Sequence, residues 1–122
     1  MRLIQQRDKN DCAIACLAMV ANIPYEDACF LLRPQKYVWL RDLAMPRKEL
    51  LNALKGLGIA YRIIYDGSFV DSNSLVFVRC DRTNHVVVYD LDNKAILDPW
   101  PGDPLDLEYC LANFTCAALL IG

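Results

Sequence analysis

The chain has 122 residues, 55% hydrophobic and 23% charged, with only 5 Gly and 6 Pro, which fits one globular domain over residues 1–122 and excludes disordered and collagen-like chains. Thirteen Lys and Arg against fifteen Asp and Glu leave a formal charge of −2, so no nucleic-acid partner is expected. The longest apolar run, Cys12 to Ala21, falls short of the roughly 20 residues a membrane span needs, and polar Gln5 to Lys9 leave no room for a signal sequence. A cytoplasmic protein without a membrane span is expected.

Asp11 is placed to N-cap a first helix running to Ala21, with Ile14, Leu17, Ala18 and Ala21 on one face and Asn22-Ile23-Pro24 as its stop. A second helix is predicted over Tyr25 to Leu32, with Ala28, Leu31 and Leu32 facing inward. Gln35 to Ala44 reads as loop or irregular helix. Pro46 suits the first turn of a third helix through Lys55, whose buried stripe is Leu50, Leu51 and Leu54, with Gly56 and Gly58 ending it. The period then changes from helical to extended. Ile59–Tyr65, Leu75–Arg79, His85–Tyr89 and Ala95–Leu97 are predicted strands, separated by turn residues at Asp66-Gly67, Asp81–Asn84 and Leu91–Lys94. A helix over Leu105 to Ala112 and a strand over Thr115 to Leu120 close the chain. Helices first and strands after is the α+β pattern, a helical half packed on an antiparallel sheet.

Six cysteines invite a disulfide framework, but no secreted context accompanies them, and Cys16, Cys29, Cys110 and Cys116 lie in apolar stretches where free thiols pack as small hydrophobes. No CxxC pair and no second His accompany them, so no metal and no cofactor is expected. His85 is the only histidine. A lone histidine at the start of an apolar strand is ordinarily a packing residue. Three companions change that reading. Cys12 follows the N-cap position, where helix-start N–H groups favour a thiolate. With the turn centred between Asp92 and Asn93, His85 falls opposite position 100, which brings Asp98 within side-chain reach to orient the imidazole. Asn84, adjacent to His85 on the same strand, points to the other face. Gln6 lies upstream of Cys12 and offers an uncharged amide donor for an oxyanion.

The segment Gln6-Arg7-Asp8-Lys9-Asn10-Asp11-Cys12-Ala13-Ile14-Ala15-Cys16-Leu17-Ala18-Met19 resembles the opening of the C39 peptidases, papain-like cysteine proteases best known as bacteriocin-processing domains of ABC transporters. A His opening a Val-rich strand and an Asp-Pro on the next strand, here His85 and Asp98-Pro99, continue the likeness over nearly the whole chain. The resemblance implies a papain-like α+β fold with Cys12 as nucleophile, His85 as base, Asp98 as orienter and Gln6 as oxyanion donor, acting on a peptide or protein substrate. Ala13 departs from the glycine common at that position. No transporter domain is expected beyond Gly122, so the resemblance is not taken to imply a double-glycine leader as substrate. Tyr37 and Trp39 either line a peptide groove or cap the core. The alternatives are a non-cleaving peptide- or protein-binding module, and a glutamine deamidase or acyl transferase on the same fold. Oligomeric state is left open.

Overall fold

Residues 1–7, 11–32, 47–80 and 83–121 are described in the structure, a computed structural model. The first helix, α1 (Cys12–Ala21), is buried on every side from Cys12 to Met19. The one-sided stripe expected from the sequence therefore understates it: Ala13, Ala15, Cys16 and Ala18 are small enough for neighbours to approach all round. Asn22 ends the helix with φ 54°, its N–H donating to the Ala18 carbonyl, a left-handed C-cap that Asn tolerates better than most residues.

Helix α2 (Tyr25–Leu32) buries Tyr25, Ala28 and Leu32. Leu31, expected to face inward, is 42% exposed. One residue is about 100° of helical turn, so Leu31 sits well off the stripe through Ala28 and Leu32. Helix α3 (Arg47–Gly56) buries the expected Leu50, Leu51 and Leu54. Gly56 is its last residue, not its stop. The reversal is made at Gly58, φ +75°, and the Ile59 N–H returns to the Leu54 carbonyl at 2.9 Å. The loop expected over Gln35 to Ala44, with Tyr37 and Trp39, and the helix-opening Pro46 lie outside the described residues.

Five strands form one antiparallel sheet: β1 (Ala60–Ile64), β2 (Ser74–Cys80), β3 (Thr83–Asp90), β4 (Ala95–Leu97) and β5 (Phe114–Ile121), in the order β1-β5-β2-β3-β4. Alternation along the central strands divides the core. Leu75, Val86, Val88 and Ala118 pack with the three helices. Val76, Val78, Val87, Tyr89, Ala117 and Leu119 pack on the other face with Phe69 and Cys110. Phe69 belongs to a short 3₁₀ turn (Gly67–Asp71), and Cys110 to helix α4 (Leu107–Asn113). That helix starts two residues later than expected because Asp106 caps it, accepting the Tyr109 N–H at 2.8 Å. The Arg47 guanidinium donates to Cys116 at 2.7 Å, tying α3 to β5.

The shortness of β4 has a structural consequence. It pairs with Val88, Tyr89 and Asp90 alone, so the first half of the β3 edge carries no strand partner on that side. Helix α1 occupies this gap, with the Cys16 thiol donating to the Val86 carbonyl at 3.3 Å. Among the described residues no single helix is long and apolar enough to cross a membrane.

Burial makes different demands on two leucine positions. Leu17→Ala, at a site with no solvent exposure, is expected to lower unfolding free energy by about 2–5 kcal/mol. Leu31→Ala should stay within about 0.5 kcal/mol of the parent. Urea unfolding followed by circular dichroism checks both.

Candidate active site

The short β4 and the gap beside it bring three side chains together. Continuing the β3–β4 register one step past Val88↔Leu97 sets Asp98 opposite Val87, diagonal to His85 on the same face. The His85 Nε2 atom lies 2.7 Å from Asp98 Oδ1. An ionised carboxylate only accepts, so Nε2–H is the donor. The other ring nitrogen remains for the start of α1, and the imidazole is hydrogen-bonded to the Cys12 side chain. Cys12 is only 4% exposed and Asp98 likewise.

Asp98 is held from three directions. Besides the imidazole, its Oδ1 accepts the Trp100 N–H at 3.0 Å and its Oδ2 the Leu105 N–H at 2.8 Å. The first of these backbone bonds is an Asx turn, the chemistry that an Asp before Pro99 invites. Asn84 is exposed, and the imidazole of His85 meets Asp98 instead.

Gln6 is buried at 6% exposure, and its backbone N–H donates to the Pro99 carbonyl at 2.8 Å. The N-terminal segment is thereby pinned to the residue following Asp98. Structure thus brings Cys12, His85 and Asp98 into a chain of direct contacts, and anchors Gln6 to the same corner through its backbone.

The helix start differs from the sequence expectation in one respect. Asp11 occupies the N-cap position of α1 but makes no side-chain cap hydrogen bond. Its carboxylate instead accepts the Tyr25 hydroxyl. The Arg7 guanidinium stacks 4.1 Å above the Tyr25 ring and pairs with Glu26 at 2.8 Å on an exposed surface. No spacing rule marks Tyr25 as a partner of the site, since the contact is made between the starts of two different helices.

Electrostatics follow from burial and these contacts. Burial pulls the His85 pKa down, but the hydrogen bonds and charges of Asp98 and Cys12 outweigh it and raise it from 6.5 to about 9. Burial pushes the Asp98 carboxyl up, and the His85 bond with the two backbone N–H groups more than reverses this, leaving it below its usual value. The Cys16 thiol, one turn beyond Cys12, is pushed well up, first by burial and then by the charges of Cys12 and Asp98. All six cysteines are free thiols. Among the described residues no group of three His, Cys, Asp or Glu is placed to hold a metal ion.

Because His85 is the only histidine, its ring protons give one unobstructed NMR titration. The midpoint is expected at about 9 instead of 6.5. Asp98→Asn should move it back toward the ordinary value. A folded-state pKa above the unfolded one means that His85 contributes stability in full below about pH 6.5, and that this contribution is lost as pH rises through about 9. Comparison of chemical unfolding at the two ends of that window, for parent and His85→Ala, checks the sign.

Comparison with known proteins places the fold and the family. The family model described as the peptidase C39 family matches residues 1–104. No curated protein sequence gives a match. Among solved structures, the chain is similar to the peptidase domain of Streptococcus ComA, a bi-functional ABC transporter involved in a quorum-sensing pathway. The TM-score is 0.71 at 24% identity, over 98% of this chain and 96% of that one. It is also similar to a double-glycine-motif protease from an AMS/PCAT transporter in complex with its leader peptide, with a TM-score of 0.68 at 18% identity, over 98% and 89% of the two chains. The peptidase domain of Streptococcus mutans ComA aligns over 100% of both chains, with a TM-score of 0.64 and 19% identity. The fold is theirs, helices against a small antiparallel sheet, and the chain belongs to the peptidase C39 family.

Proposed function

We propose that the chain is a cysteine peptidase that cuts a peptide bond through a thioester, with Cys12, His85 and Asp98 as a catalytic triad and Gln6 as oxyanion donor. The observation that carries this is the single histidine held between a carboxylate 2.7 Å away and the thiol at a helix start. An imidazolium that persists to about pH 9 is the counter-charge a thiolate needs at neutral pH. Asp98 keeps the ring oriented and stabilises its charged form without leaving its own backbone donors.

In the first step the Cys12 thiolate attacks the scissile carbonyl carbon, and the carbonyl electron pair moves onto oxygen. The N–H groups at the start of α1 and the Gln6 amide are the donors proposed for that oxyanion. Collapse expels the amine, which takes the proton from His85 and leaves a thioester on Cys12. The now neutral imidazole removes a proton from water, the hydroxide equivalent attacks the thioester, and the acid product departs as the thiol side is restored. No metal or cofactor is called for by these steps. The substrate class is a peptide, in keeping with a structural relative that holds a leader peptide.

Cys12→Ala, His85→Ala and Asp98→Ala should each reduce turnover of a peptide panel, leader-type sequences included, by several orders of magnitude. Gln6→Ala should cost about 10²–10³-fold, and Asn84→Ala little. Mass spectrometry of the products distinguishes the outcomes. Two fragments that vanish with Cys12→Ala support the reading, whereas an intact peptide bearing only the deamidation shift, or peptide bound and unchanged, overturns it.

A further inference from the structure

Helix α1 begins with Asp at its N-cap position, a residue type that ordinarily turns its carboxylate onto the first-turn N–H groups and stabilises the helix. Here that bond is not made. Backbone geometry at Asp11, φ −101° and ψ 13°, departs from the extended conformation that a capping residue adopts. The carboxylate accepts the Tyr25 hydroxyl instead, and the same hydroxyl is hydrogen-bonded by the Arg7 backbone. Tyr25 is only 7% exposed, its ring closed over by the Arg7 guanidinium. One buried hydroxyl therefore joins the residue before Cys12 to the residue after Gln6.

We propose that Tyr25 is a positioning residue: its hydroxyl holds the Asp11 carboxylate away from the start of α1, so that the first-turn N–H groups stay free for the negative charge of the reaction. The proposal rests on the Cys12–His85 reading above and deepens it. Two anions compete for one helix terminus, the Asp11 carboxylate and the charge that develops at Cys12 and on the substrate oxygen. A carboxylate seated there would both take the donors and repel the thiolate. The Arg7 contact works in the same direction, because it fixes the Gln6 segment to the hydroxyl that restrains Asp11.

Among the described residues, the charged and titratable groups around this corner are Tyr25, Arg7, Glu26 and Cys29 on the α2 side, Cys16 on α1 itself, and His85 and Asp98 from the sheet edge. Of these, Tyr25 alone hydrogen-bonds Asp11 through a side chain in the contacts above. Removing its hydroxyl changes no formal charge at neutral pH and leaves the ring, its burial and the Arg7 stack in place.

The test is the pH profile of Cys12 alkylation by iodoacetamide, with the labelled site located by mass spectrometry. Tyr25→Phe should move the rise in labelling up by about half a pH unit, the size expected for an anion admitted to a helix N-terminus. The double variant Tyr25→Phe/Asp11→Asn should bring the profile back, since no carboxylate is left to restrain. A Tyr25 that serves packing alone predicts an unmoved profile in the single variant, and no restoration in the double variant if the single one does shift; either result overturns the proposal. Should Tyr25→Phe fail to fold, Asp11→Asn decides by itself. It keeps an acceptor for the hydroxyl and removes the charge, so its profile should match the parent or move down, and an upward shift overturns the proposal. His85→Ala separates the two levels. If it leaves the profile untouched, the Cys12–His85 reading falls; if it alters the profile while Tyr25→Phe does not, only the role of Tyr25 falls.

Discussion

A carboxylate 4% exposed, as Asp98 is, has to find donors for its oxygens or give up its charge. It finds three, one from the His85 ring and two from the backbone N–H groups of Trp100 and Leu105. That constraint organises the corner of the molecule around it. The backbone after β4 must turn sharply to present two N–H groups to one side chain, which is why the strand stops at Leu97 and why a proline-rich stretch follows. Stopping there in turn leaves the edge of β3 open for α1. The Pro99 carbonyl, brought into place by the same turn, receives the Gln6 N–H and closes the arrangement from the other side.

The helix start answers to an opposite demand. Helix α1 is buried along eight consecutive residues, and the N–H groups of its first turn need partners from outside the helix. A well-capped N-terminus would serve stability best. Here the cap residue is committed elsewhere, and the foregone hydrogen bond lies at the one helix end that adjoins the only histidine. Stability surrendered beside a candidate reacting group is the pattern expected where a site must remain receptive to charge.

Much of this fold is legible in the sequence because period and punctuation agree. The four helices, the five strands and the turn at Leu91–Lys94 follow from local patterns, and the register from that turn alone brings Asp98 to His85. Departures arise where a third element decides. Leu31 reads as apolar and inward, but the neighbours of α2 cover only the Tyr25–Ala28–Leu32 stripe. Asp11 reads as a cap, but Tyr25, fourteen residues away at the start of another helix, captures its side chain. Such a capture has no signature in spacing, since it depends on how α1 and α2 cross. The contact of Asp98 with His85 is readable because one residue lies on β3 and the other directly after β4; the restraint on Asp11 is not, because it is a tertiary contact between side chains of ordinary appearance.

Cys12 and Cys16 show how far position outweighs residue type. They lie one helical turn apart on the same helix, both buried. Cys16 donates its proton to the Val86 carbonyl, an acceptor that favours the neutral thiol, and burial with two nearby negative groups pushes its pKa further up. Cys12 meets an imidazole whose charged form is favoured to about pH 9. The same atom is thus a packing group with a satisfied proton at one position and the partner of a cation at the other. A difference of one turn along α1 decides which side of the β3 edge each sulfur meets, a main-chain carbonyl or the ring of His85. It follows that the candidate nucleophile is set less by the Asp-Cys pair in the sequence than by where the uncovered edge of β3 begins, and so ultimately by the length of β4.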